Sequence, residues 1–187
     1  MTLQTERMET FDFVIIGAGT AGEGAANKAR ELGATVAIVD RRWFGGSCPH
    51  VGCLPSKALL HSAYEHRENA AAYDWPRASA RRDYMVNRAP DAAEPDDGGH
   101  VSALERVGAT VYRGDGRITA RGRVTVTHDG VAHELAGHHV FVAVGSRSKT
   151  PDLEGLVRDP PVVERGSHAH ARAAAQPARP GWRSDRL

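Results

Sequence analysis

The sequence predicts an α/β fold: a parallel sheet flanked by helices, with a small antiparallel meander set into it. Three observations predict it. An apolar run of β-formers, Phe11 to Ile16, leads directly into Gly17-Ala18-Gly19-Thr20-Ala21-Gly22. A helical stretch and a second apolar strand follow, and that strand closes on Asp40. Further on, Arg123 to Thr127 alternates in hydrophobicity up to an Asp129-Gly130 turn, the pattern of a hairpin rather than of a buried parallel strand.

The chain has 187 residues, enough for one domain with a core of its own. Lys and Arg number 24 against 23 Asp and Glu, so net charge gives no footprint for nucleic acid or a membrane surface. No apolar run reaches the roughly 18 residues of a membrane span. Residues 1–10 read as a polar N-terminal extension without the apolar centre of a signal peptide, so a cytoplasmic location is the default expectation.

In chain order, Phe11 to Ile16 fits a buried parallel strand. Ala25 to Leu32 reads as a helix stopped by Gly33, and Thr35 to Val39 as a second strand. Strand, GxGxxG, helix, strand and acid in this order describe a dinucleotide-binding βαβ unit. Gly17 permits the tight turn, Gly19 lets the backbone approach a pyrophosphate, and Gly22 lets the helix pack on the strand. The helix N-terminus offers free N–H groups to phosphate. Asp40, 23 residues beyond Gly17, is placed to accept from an adenosine ribose, and an acid there argues against a bound 2′-phosphate.

Cys48 and Cys53 are the only two cysteines, and they lie five residues apart between a Gly45-Gly46 turn and the helix-forming run from Lys57. In a reducing compartment a close pair is more often catalytic or metal-binding than structural. Two thiols alone do not make a metal site, so no metal is expected. A structural disulfide, a redox pair and two buried thiols remain open on the residues themselves.

Leu54 to Ala72 has a helical pattern, with a further helix near residues 81–87, a loop over 89–99 broken by Pro and Gly, and a helix over 100–107. Arg81-Arg82 reads as a solvated helix face. Gly108 to Tyr112 reads as a third core strand. The meander spans Gly114 to Leu135, and His139 to Ser146 reads as a separate buried strand ending in a glycine turn, with His138-His139 at its entry. That turn is expected at the same crevice as Gly17–Gly22, because parallel strands place ligands at their carboxyl ends. From residue 157 to 187 the chain is rich in Ala, Arg and Pro without periodicity, which predicts a disordered tail.

Taken together, these pieces resemble the FAD-binding half of the class I pyridine nucleotide–disulfide oxidoreductases, whose members include dihydrolipoamide dehydrogenase, glutathione reductase and mercuric reductase. The resemblance covers residues 11–156, a Rossmann-like FAD-binding domain. It rests on Gly45-Gly46-Ser47-Cys48-Pro49-His50-Val51-Gly52-Cys53-Leu54-Pro55-Ser56-Lys57 and on Val140 to Leu156. In the second motif Val144 stands where the family has Thr, and Glu154 where it has Pro.

The resemblance implies FAD as cofactor, with NAD(P)H as electron donor. Gly17, Gly19, Thr20, Ala21 and Gly22 would lie at its pyrophosphate, and Asp40 and Arg41 at the adenosine ribose. Ser47 and Cys48 would lie near the ribityl chain and Lys57 near the flavin, with Gly46 and Gly52 also at the cofactor. Gly116, Ala143, Val144 and Gly145 would complete the cofactor site. Cys48 and Cys53 would form the redox-active disulfide, Cys53 facing the flavin and Cys48 attacking the substrate. A lysine and a helix N-terminus beside such thiols favour the reactive thiolate. Trp43 and Phe44 read as packing, and His50, where the family has Asn, carries no assigned role.

Family members continue into NAD(P)-binding and dimerisation domains. No second GxGxxG follows Gly155, and no His-x-x-x-x-Glu pattern closes the chain. One permissible codon choice for residues 162–186, read one base later, restores a strand and a second glycine-rich turn. The expectation is an interrupted reductase, homodimeric in the family, acting on a small-molecule or protein disulfide, with this portion unable to turn over alone. The rival expectations are a non-catalytic flavin-binding fragment, a half-enzyme needing a separate NAD(P) module, and an NAD-binding dehydrogenase.

Overall fold

The protein is described from a computed structural model that covers residues 8–69, 74–88 and 95–146. The apolar run forms β1 (Glu9–Ile16), and the glycine-rich turn leads into α1 (Thr20–Glu31). The helix begins five residues earlier than its alanine-rich segment suggested. Gly19 serves as its N-cap in extended conformation, so the turn glycines feed straight into helical backbone. β2 (Val36–Asp40) follows. Asp12 ties β1 to the start of β2, accepting from the Thr35 backbone N–H and hydroxyl at 2.7 and 2.8 Å. Those bonds from Thr35 hold the Asp12 carboxyl below its ordinary value.

The cysteine stretch breaks into a single helical turn, α2 (Ser47–His50), and α3 (Cys53–Asn69). α4 (Trp75–Asn87) begins well before residue 81. Its start is set by Asp74, whose side chain accepts from the Arg77 N–H at 3.1 Å, and by Pro76 in the first turn. Proline there initiates a helix because its missing N–H would be unpaired anyway. Arg82 is not on a solvated face. It is 2% exposed and bonds Asp83 and Ser79, while Arg81 is exposed. α5 (Gly98–Arg106) likewise starts earlier than expected and takes Gly98-Gly99 into its first turn.

β3 (Thr110–Arg113), β4 (Asp115–Ala120), β5 (Arg123–His128) and β6 (Val131–Val142) complete a six-stranded sheet in the order β3-β2-β1-β6-β5-β4. β1 pairs in parallel with β2 and β6, and β2 with β3. β4–β5 and β5–β6 are antiparallel.

The hairpin's return strand and the strand at His139 are one element, not two. β6 pairs with β5 over residues 131–136 and with β1 over 135–142. His138 and His139 therefore sit inside a strand, with the His139 ring stacked 5.1 Å from Phe13. The end of β6 is also less buried than its apolar sequence suggests: Phe141 and Val142 are exposed, since β5 stops pairing at Ala136. The tail over 157–187, with Glu154, Gly155 and Leu156, lies outside the described residues.

Two cores result, one on each face of the parallel strands. Ile15, Val36 and Ile38 pack against Ala26 and Ala29 of α1 and Leu104 of α5. On the other face, Val14, Ile16 and Val39 pack against Val124 and Val126 of β5 and Leu135 of β6. The antiparallel strands thus cover the face that helices leave open. Gly116 permits the overlap, because a Cβ there would sit 3.2 Å from side-chain carbons of Ile16 and Val39. Leu135→Ala, at a fully buried point where β6 belongs to both sheet halves, is expected to cost about 2–5 kcal/mol of stability, measured by urea unfolding.

Candidate nucleotide and thiol site

Two glycine turns meet back to back. Gly17 has φ +102°, and a Cβ on it would lie 2.3 Å from the Ala143 carbonyl oxygen at the end of β6. Gly46 has φ +72°, and a Cβ on it would lie 2.6 Å from the Gly19 Cα. The Gly45 N–H donates to the Ala18 carbonyl at 2.8 Å, and Gly19 and Gly45 form a parallel bridge. Gly22 seats α1 directly on the turn, its Cβ position only 1.8 Å from the Gly17 carbonyl oxygen. At Gly17, Gly22 and Gly46 the facing backbone leaves no room for a side chain.

Asp40 fastens the seam from below. One carboxylate oxygen accepts from the Ala18 N–H and the other from the Arg42 N–H, both at 2.8 Å. The acid expected to serve a ribose therefore also pins the turns that follow β1 and β2. Each oxygen keeps a lone pair for a further donor.

Above the seam runs a groove of about 570 Å³. Gly17, Gly19, Thr20 and Ala21 line it where α1 begins, and no side chain caps that helix end, so its first N–H groups are left for a ligand. Asp40 and Arg41 line it at the end of β2. Gly46, Ser47 and Cys48 line it from the second turn, Gly116 from β4, and Ala143, Val144 and Gly145 from the end of β6. Gly22, Gly52, Cys53 and Lys57 lie off this lining. Gly22 acts in the packing of α1, and Gly52 donates to the Ser47 carbonyl at 2.8 Å without a positive φ.

The two cysteines are separate thiols, with no disulfide between them. Cys48 sits in α2 and is partly covered, whereas Cys53 is exposed and opens α3. Lys57, also exposed, lies four residues further along α3, hence on the same helix face as Cys53. His50 is buried, and its Nε2 donates to the Phe44 carbonyl at 2.8 Å. Phe44 is core, while Trp43 faces the groove with the Arg42 guanidinium 4.5 Å from its ring centre. Among the described residues no three His, Cys, Asp or Glu side chains converge on a metal-sized point.

A family model described as pyridine nucleotide-disulphide oxidoreductase matches residues 11–183. The chain belongs to that family.

Two relatives in this oxidoreductase family are the glutathione reductase of Burkholderia cepacia and dihydrolipoyl dehydrogenase 3 of Pseudomonas aeruginosa. The first is 32% identical over 149 residues, covering 78% of this chain and 32% of the relative. The second is 36% identical over 149 residues, covering 74% of this chain and 31% of the relative. Among solved structures, a Cu(II) complex of the HOCl-induced flavoprotein disulfide reductase RclA from Escherichia coli superposes with a TM-score of 0.67. It is 26% identical and covers 82% of this chain and 32% of that one. The chain thus spans about a third of the length of the proteins it matches.

Arg42, Trp43, Gly45, Gly114 and Asp115 also line the groove, beyond the residues to which the sequence motifs point. Their common signal is position: they follow the carboxyl ends of β2 and β3, where an open parallel sheet presents its crevice. Arg41 reaches across the mouth to Asp115 at 3.3 Å, an exposed pair of small energetic weight. Gly46→Ala is expected to destabilise the fold by roughly 1–3 kcal/mol through positive φ and the clash with Gly19. Gly24→Ala, in α1 with open space around the new methyl, is expected to add about 0.5–1 kcal/mol. Thermal unfolding of both variants checks the contrast.

Proposed function

We propose that this chain is the FAD-binding, thiol-bearing portion of an oxidoreductase that takes electrons from NAD(P)H and delivers them to a disulfide-type acceptor. The observation that carries the reading is the pair of opposed glycine turns: one opens an uncapped helix end toward the groove, and the other leads directly into Cys48. A groove with glycine turns at an uncapped helix end and polar side chains further along suits a long, doubly phosphorylated ligand.

Gly17, Gly19, Thr20 and Ala21 would hold the pyrophosphate, and Asp40 and Arg41 the adenosine ribose. Gly46, Ser47, Gly116, Ala143, Val144 and Gly145 would border the rest, with Gly22 keeping α1 in register. Bound FAD would accept a hydride from NAD(P)H and supply two electrons for disulfide reduction. The chain's own part is thiol exchange. Two electrons and two protons convert a Cys48–Cys53 disulfide to two thiols. The Cys48 thiolate attacks one sulfur of the substrate disulfide, forming a mixed disulfide and releasing the first substrate thiol. The Cys53 thiolate then attacks the Cys48 sulfur, releases the second thiol and restores the Cys48–Cys53 bond. Gly52 joins α2 to α3 between the two, and Lys57 places a cation one turn beyond Cys53.

The substrate is a small-molecule or protein disulfide, and the site of action is the cytoplasm. No described helix is long and apolar enough to cross a membrane. The family's homodimer would supply the residues that manage protons at Cys48. The rival reading is a flavin-binding fragment or half-enzyme working with a separate NAD(P) module.

The purified chain is expected to be yellow, with one bound FAD. On reduction with dithionite it should gain a long-wavelength thiol–flavin absorbance that Cys53→Ser abolishes while FAD stays bound. A colourless protein that binds NAD and not FAD would overturn the proposal. NAD(P)H oxidation by the chain alone would refute the fragment reading and leave the complete enzyme.

A further inference from the structure

Asp97 occupies the N-cap position of α5, yet its side chain makes no capping bond to that helix. An Asp at an N-cap ordinarily accepts from the first-turn N–H groups. Here only the backbone carbonyl serves the helix, accepting from His100 and Val101. The carboxylate turns instead toward the segment that leads into the cysteine turn. One oxygen accepts from the Phe44 N–H at 2.9 Å, and both accept from the Arg113 guanidinium at 2.8 and 2.9 Å. Arg113, at the end of β3, also donates to the Arg42 carbonyl and lies 5.1 Å from the centre of the Phe44 ring. The Phe44 carbonyl, in turn, accepts from His50, two residues beyond Cys48 in α2. Phe44 is therefore held by its N–H, its ring and its carbonyl at once. Neither Asp97 nor Arg113 lines the groove.

A second contact comes from the first turn of α5. The His100 ring stands where a Cβ on Gly45 would be, about 2.6 Å away, and bonds Glu23 of α1 at 2.9 Å. It also meets the His50 ring edge-on at 5.7 Å between centres. One helix end thus braces the phosphate-binding helix, the second glycine turn and α2 together.

We propose that Asp97 and Arg113 are positioning residues for Cys48: they hold Phe44 and, through it and His50, the turn that presents the Cys48 thiol to the groove. The proposal rests on the reading of Cys48 as the exchanging thiol, but it is a statement about geometry that holds with or without flavin. A cap diverted from its own helix to a remote loop sets a local preference against a tertiary one, the kind of conflict expected where a site must be held in place.

The test compares iodoacetamide alkylation rates of Cys48 and Cys53 in the full 187-residue chain, followed by peptide mass spectrometry. Losing a bond to a charged group should free the turn enough that Cys48 in Asp97→Ala or Arg113→Ala reacts about tenfold faster. The already exposed Cys53 should change by less than about twofold, with far-UV circular dichroism unchanged. Arg113→Lys, which keeps the charge but not the fork, should recover part of the effect. Should the alanine variants fail to fold, Asp97→Asn, which still accepts from Phe44, and Arg113→Lys decide the matter by the same ratio of rates. An unchanged Cys48 rate, or equal acceleration of both cysteines, overturns the proposal. A parallel FAD titration of the wild-type chain keeps the two readings apart: absence of flavin binding defeats the proposed function, while the thiol ratio still judges the positioning role.

Discussion

The seam between Gly17–Gly19 and Gly45–Gly46 is the constraint on which the rest of the structure depends. Backbone meets backbone there at distances no side chain tolerates, with Gly46 against Gly19 and Gly17 against the end of β6. Such closeness lets one groove be bounded by an uncapped helix end on one side and a cysteine-bearing turn on the other. It also joins the Gly17–Gly19 turn to the Gly45–Gly46 turn. The Gly45 N–H bond to the Ala18 carbonyl and the two bonds to Asp40 tie them into one piece of backbone.

The surrounding layers support that seam from two directions. On the helical side, α5 carries Asp97 and His100 to the second turn, and α1 carries Glu23 to His100. On the other side, β6 has to reach Gly17 with Ala143 while its first half belongs to the meander. A single strand shared between a parallel and an antiparallel pairing meets both demands. Leu135, buried at the point of transition, anchors it.

Thiol exchange asks for two sulfurs in different surroundings, one able to meet a substrate and one able to resolve the mixed disulfide. Cys48 lies in a braced turn on the groove wall, and Cys53 opens the exposed start of α3. The two are therefore set apart by their supports as well as by sequence. Family membership places this arrangement in a longer protein type, of which the chain spans about a third.

Short-range rules carried much of the fold into view from the residues alone. The βαβ unit followed from apolar runs separated by GxGxxG, and the hairpin from Asp129-Gly130, because these signals depend on steric limits within a few residues. The family came into view by resemblance, through the motifs Gly45 to Lys57 and Val140 to Leu156. Most of the groove wall was legible for the same reason, since glycine turns and strand ends name themselves. Other features needed the tertiary structure. Pro76 sits in the first turn of a helix whose start Asp74 caps, and Arg82, read from the sequence as solvated, is buried and bonded to Asp83 and Ser79. β6 read as two strands because its burial changes along its length while its backbone does not. Asp97 and Arg113 gave no sequence signal at all. Their partners, Phe44 and Arg42, lie more than fifty residues away, and only the folded sheet and helices bring those groups within hydrogen-bonding distance.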